Sequence, residues 1–113
     1  DPITYVAEPD GLERHLDELD RLAAFDYERI LPCHGDPAVI AAGGYDRSLL
    51  RATQHYIRAL LRCPTDPGLA RLSLGAFIRE PLEAGAVRYL DAYEAVHRDN
   101  VAAVVGRRRR DRP

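Results

Sequence analysis

The chain has 113 residues, 16 basic and 18 acidic, a formal charge of -2, and 46% apolar residues. That is one domain's worth, large enough for a modest core but short of a typical two-layer hydrolase. The near balance of charge predicts no general affinity for polyanions, and no apolar run is long enough to span a membrane.

No signal-peptide pattern opens the chain, so the expected location is cytoplasmic, with an upstream signal left open. All the basic residues are Arg and none is Lys, a compositional bias that carries no chemistry. The chain contains no Met, so Asp1 is expected to be an internal position of a longer protein, a processed natural product being the alternative. Cys33 and Cys63 form no CxxC pattern and read as buried, inert thiols, with a disulfide as the lesser alternative.

Residues 1 to 9 read as an extended lead-in, with Ile3, Tyr5 and Val6 between Pro2 and Pro9. Asp10 followed by Glu13 resembles a capping box, and the helix it opens is expected to run to about Phe25. Leu12, Leu16, Leu19, Leu22 and Ala23 share one face and charged residues fill the other. His15 lies at the border of that apolar arc, where a structural role is expected.

Asp26-Tyr27 turns the chain into Arg29-Ile30-Leu31-Pro32, the one convincing internal strand. A lone strand leaves its backbone donors and acceptors unpaired, so its neighbours are expected from a missing N-terminal sheet, another copy or a partner protein. Cys33-His34-Gly35-Asp36-Pro37 follows as a turn, with Gly35 permitting tight or left-handed backbone. A histidine on rigid backbone at a strand tip is placed to act as metal ligand, general base or simple turn residue. Cys33 and His34, as neighbours in an extended segment, point to opposite faces and are not expected to share a metal.

Tyr45 to Arg62 shows helical period. Tyr45, Leu49, Ala52, Tyr56, Ala59 and Leu60 form the buried face, while Arg47, Arg51, Arg58 and Arg62 form an opposite stripe expected to be solvated. His55 borders that stripe and is expected to be exposed. Asp66 as N-cap with Pro67 at the first position predicts a helix through about Ile78, weakened by Gly68 and Gly75.

A last helix is expected over about Leu82 to Val105. His97 and Asn100 fall on its apolar arc, where two polar groups need partners, so they are expected to bond each other or a neighbouring loop as a structural polar pair. Residues 107 to 113 read as a disordered basic tail. Its five arginines, without an aromatic or folded platform, are a weak signal for nucleic acid.

Together these elements predict a mixed α/β chain, predominantly helical, with one short strand and about four helices. The segment Ile30-Leu31-Pro32-Cys33-His34-Gly35-Asp36-Pro37, with the Leu16/Leu19/Leu22 helix before it and the Tyr45 helix after, resembles the C-terminal part of a metallo-β-lactamase-fold hydrolase. In that family a Leu-Pro-x-His-Gly segment supplies a late histidine to a two-zinc site. The resemblance therefore places a metal ligand at His34, with Gly35 and Asp36 as turn or supporting residues. It makes residues 1–62 the last part of an αββα core, and residues 63–106 a helical extension. Leu72, Leu74, Phe77 and Ile78 would then line a substrate pocket, ordinary helix packing being the alternative reading.

The family's His-x-His-x-Asp-His signature is absent, as is a recognisable bridging aspartate, and Cys33 stands where the family usually carries a small residue. The resemblance thus implies a fragment contributing one histidine to hydrolysis by metal-bound hydroxide. Alone it would retain no zinc and show no activity, and its partner would be the missing N-terminal part of the same protein. The competing expectation is a non-enzymatic helical assembly module, with homo-oligomerisation through the unpaired strand; no membrane partner is expected.

Overall fold

The structure, a computed structural model, describes residues 6–110, without the side chains of 108 and 109. The lead-in residues Ile3 and Tyr5 lie outside the described residues, and Val6, the first described, is buried.

Helix α1 spans Leu12–Ala23 and is preceded by a 3-10 turn, Pro9–Gly11. The expected capping box does not form: Gly11 is the N-cap without a side-chain bond, and Glu13 reaches Arg107 instead. Leu12 and Leu19 are buried, while Leu22 and Phe25 remain exposed.

The described residues contain no β-strand, which corrects the expected α/β class to an all-helical one. Ile30 and Tyr45 form a single antiparallel bridge, with N–H···O distances of 2.7 and 2.8 Å. The pairing does not propagate for two local reasons. Pro32 supplies no backbone donor, and Gly44, at φ +99°, turns the partner segment away immediately before Tyr45. What reads as a strand is therefore one paired residue inside a loop.

Helix α2 covers Pro37–Ala41, and helix α3, Ser48–Arg62, is the spine of the molecule. α3 begins at Ser48, not Tyr45, because Tyr45 is committed to the bridge and the Asp46 carboxylate accepts from the Ser48 N–H at 2.8 Å. Leu49, Leu50, Ala52, Tyr56, Ile57, Ala59 and Leu60 are all buried along it.

The helix expected from Pro67 through Ile78 is split into α4, Pro67–Ala70, and α5, Leu74–Phe77. Asp66 caps α4 as expected, accepting from Leu69 N–H at 3.0 Å. Ser73 then caps α5, accepting from Ala76 N–H, so a hydroxyl that competes for backbone donors divides the segment. The last helix is likewise two: α6, Arg79–Glu83, and α7, Tyr93–Arg110. Seven α-helices among the described residues thus replace the expected four. The basic run does not begin as a tail, since Arg107 to Arg110 continue α7.

The core gathers where α3, α5, α7 and the Cys63–Thr65 turn meet, around Tyr56, Ile57, Leu60, Leu74, Ile78 and Val104. No helix among the described residues is long and apolar enough to cross a membrane.

Candidate functional site

The His-Gly turn is fixed almost entirely by Tyr45. Its backbone holds Ile30 through the bridge, and its hydroxyl accepts the Asp36 N–H at 2.7 Å. Gly35 lies flat against it: a Cβ there would meet Tyr45 Cε2 at 2.9 Å and Pro32 Cγ at 3.1 Å. Gly35 is not in the left-handed region, so its role is space for the tyrosine ring and not the backbone freedom expected of it. Gly44 does need that freedom, and its missing Cβ also leaves room for the Ile30 carbonyl, which would lie 2.6 Å away.

His34 and Cys33 are exposed at the tip of this turn. Asp36 acts as a helix and ion-pair anchor: Oδ1 accepts from Ala38 N–H at 2.9 Å, capping α2, and Oδ2 lies 3.0 Å from Arg88. A cavity of about 420 Å³ opens beside the turn, lined by Asp36, Tyr45, Gly44, Val39, Val87 and Arg88 among others, but His34 is not in its wall. Among the described residues no group of three or more His, Cys, Asp or Glu side chains is placed to hold a metal ion.

A second polar cluster lies in the core. His97 and Asn100, on α7, are 1% and 0% exposed and do not bond each other directly; both reach the hydroxyl of Tyr56 on α3. Tyr56 Oη is 2.9 Å from His97 Nδ1 and accepts from Asn100 Nδ2 at 3.1 Å. His97 Nε2 lies 3.3 Å from the Leu72 carbonyl, and Asn100 Oδ1 accepts the Val6 N–H at 2.8 Å. Because a carbonyl only accepts, these partners assign the proton of neutral His97 to Nε2 and make Tyr56 the donor to Nδ1. Burial pushes the His97 pKa below its ordinary 6.5, with the Leu72 carbonyl and Glu94 opposing that trend, and it raises the Tyr56 pKa strongly.

Of the four residues expected to line a substrate pocket, Leu74, Phe77 and Ile78 are at most 4% exposed and belong to the core, packed against Tyr56 and His97. Only Leu72 is exposed, at the edge of a shallow groove along α7. Cys63 is buried, and Cys33 is exposed, contrary to the expectation of two buried thiols. His55 is half-buried, its Nε2 3.4 Å from the Phe77 carbonyl.

Two arginines carry structural work that the helical stripe and the tail did not suggest. Arg47 leaves the solvated stripe to donate to the carbonyls of Ala23 and Phe25 at the end of α1, and its guanidinium sits 4.6 Å from the Tyr27 ring centre. A cation there satisfies orphan carbonyls and opposes the negative end of the helix dipole. Arg107 joins the far end of α7 to the lead-in, donating to Pro9 O at 3.0 Å and pairing with Asp10 and Glu13. Its hydrogen bond to Glu13 lowers the pKa of that carboxyl.

No family model, no curated protein and no solved structure matches the chain.

Proposed function

We propose that this chain is the C-terminal piece of a zinc-dependent hydrolase of the metallo-β-lactamase type, contributing His34 as one metal ligand. The observation that carries this reading is the exposed His34 on a turn immobilised by Tyr45, Gly35 and Gly44. A ligand histidine needs a rigid support and an accessible ring, and both are present. The described side chains do not compose a zinc site by themselves, so no catalytic step is assigned to them and the other ligands must come from outside this chain.

The backbone beside the turn has unused hydrogen-bonding groups among the described residues. Ile30 turns its N–H and C=O toward Tyr45, so in an antiparallel arrangement Arg29 and Leu31 address the opposite side. Among the described residues, neither makes a backbone hydrogen bond, and Leu31 is 69% exposed.

The test is the reading frame upstream of Asp1. A His-x-His-x-Asp-His motif after a strand is the expected content, and zinc bound by the whole protein should then fall when His34 is replaced by Ala. A frame that holds only a start codon, or an unrelated domain, overturns the proposal.

The exposed side chains of Leu22, Phe25 and Leu31 favour a second reading, a helical assembly module that self-associates through exposed apolar residues. A solution mass that rises with protein concentration, and returns to the monomer value in Leu31→Asp, would select it.

A further inference from the structure

The cavity beside the bridge has two walls that are fixed by their own backbone bonds. One is the loop held by the Ile30–Tyr45 bridge. In the other, α6 ends in a turn at Gly85, φ +72°, where the Gly85 N–H reaches Leu82 O at 3.1 Å and the Ala86 N–H reaches Pro81 O at 3.0 Å. That paired closure occupies the last carbonyls of the helix and sets the direction in which Ala86, Val87 and Arg88 leave it. The ion pair of Asp36 with Arg88, at 3.0 Å, ties the two walls together. A volume of about 420 Å³ is in the range that holds small organic molecules, and walls already in place need no ordering when a ligand enters.

The lining carries two arginines and two aspartates, so their formal charges cancel and the site has no net pull on a polyanion. One pair is already closed. Asp36 accepts from Ala38 N–H with Oδ1 and meets Arg88 with Oδ2. The other pair is open. Asp46 Oδ1 accepts from Ser48 N–H and from the Ser48 hydroxyl, and these bonds hold its pKa below the ordinary value, so it is a carboxylate at neutral pH. Among the described residues, neither Asp46 Oδ2 nor the Arg29 guanidinium makes a hydrogen bond or ion pair; Arg29 and Arg51 act on Asp46 only through space. Arg29 and Asp46 are exposed, whereas of the apolar lining Leu49 is buried and Val39 and Val87 are half-buried.

We propose that this cavity binds a free α-amino acid with an apolar side chain, its ammonium group donating to Asp46 and its carboxylate accepting from Arg29. The ligand class follows from three features taken together. Nearby opposite charges left open by the protein match the ammonium and carboxylate that an α-amino acid carries one carbon apart. The cancelling charges of the lining favour a zwitterion over a phosphate-like dianion, and Val39, Leu49 and Val87 give an apolar side chain a surface to cover. An exposed ion pair between Arg29 and Asp46 would itself be worth little, so a ligand that comes between them displaces nothing strong. His34 is not in the cavity wall, and the site stands apart from the zinc reading.

The test is a titration with L-leucine followed on the amide NMR signals of the protein. The Asp46, Gly85 and Val87 signals should shift and saturate below about 10 mM. Leucinamide, which lacks the carboxylate, and N-acetyl-leucine, which lacks the ammonium group, should each bind about tenfold more weakly than leucine. Arg29→Gln changes an exposed side chain without a bonded partner, and Asp46→Asn keeps an acceptor for Ser48, so both variants should fold. Each should weaken leucine about tenfold; Arg29→Gln should leave leucinamide unaffected, and Asp46→Asn should leave N-acetyl-leucine unaffected. The proposal is overturned if leucine gives no saturable shift at these amides, if either analogue binds as tightly as leucine, or if either variant keeps the full affinity.

Discussion

Between α3 and α7, Tyr56, His97 and Asn100 are at most 1% exposed and hydrogen-bonded end to end, whereas the segment from Asp26 to Arg47 leaves His34 and Leu31 in solvent around one antiparallel bridge. The seam buries polar groups, which is costly unless each finds a partner, so its order comes from a closed network. The loop buries little and is ordered by exclusion and charge: two glycines that admit a tyrosine ring and a carbonyl, and an arginine that gathers the end of α1. A region can thus be held rigid by polar satisfaction in the core or by steric fit at the surface. The second way leaves a side chain accessible for chemistry.

The two regions should therefore respond differently to small changes. The largest effect is expected from Tyr56→Phe, which removes the donor to His97 and the acceptor of Asn100 inside the core. A loss of about 3 kcal/mol is expected from two buried groups losing this partner; a urea midpoint near that of the parent would show that the seam is held by packing alone. Gly44→Ala comes next. At φ +99° and with the Ile30 carbonyl in the way, it should cost about 2 kcal/mol and dissolve the bridge, seen as lost protection of the Ile30 and Tyr45 amides.

Arg47→Ala should cost about 1 kcal/mol through the carbonyls at the end of α1, with Arg51→Ala, in the first turn of α3, near zero as its control. Equal effects of the two would remove the distinction between the capping arginine and the solvated stripe. The smallest change is expected for His34→Ala, within about 0.5 kcal/mol of the parent, because the residue is exposed and Tyr45, Gly35 and Gly44 fix the turn. A large loss there would make His34 part of the scaffold and weaken its assignment as a ligand.

Some of this contrast was legible in the chain. The buried face of α3 follows from its apolar period, and Asp66 followed by Pro67 marks the start of α4 because capping is a local interaction. His97 and Asn100 stand out as polar residues on an apolar arc. Their common partner does not, since Tyr56 lies 41 residues from His97 and its ring alone qualifies it for the core. The strand was misread for a related reason: Ile30-Leu31 has strand-like composition, but pairing depends on what lies across from it, and Gly44 and Pro32 limit that to one residue. The expected pocket residues Leu74, Phe77 and Ile78 are apolar in either setting, and only packing shows them facing inward.

By itself the sequence determined the amphipathic helices and the proline and aspartate boundaries, all of which depend on residues within a turn of one another. The tertiary structure alone decided the corrected fold class, the capping role of Arg47 and the bond from Arg107 to Pro9, 98 residues away. Hydrogen bonds and ion pairs over such separations depend on where the helices meet, and that geometry leaves no periodic mark in the chain.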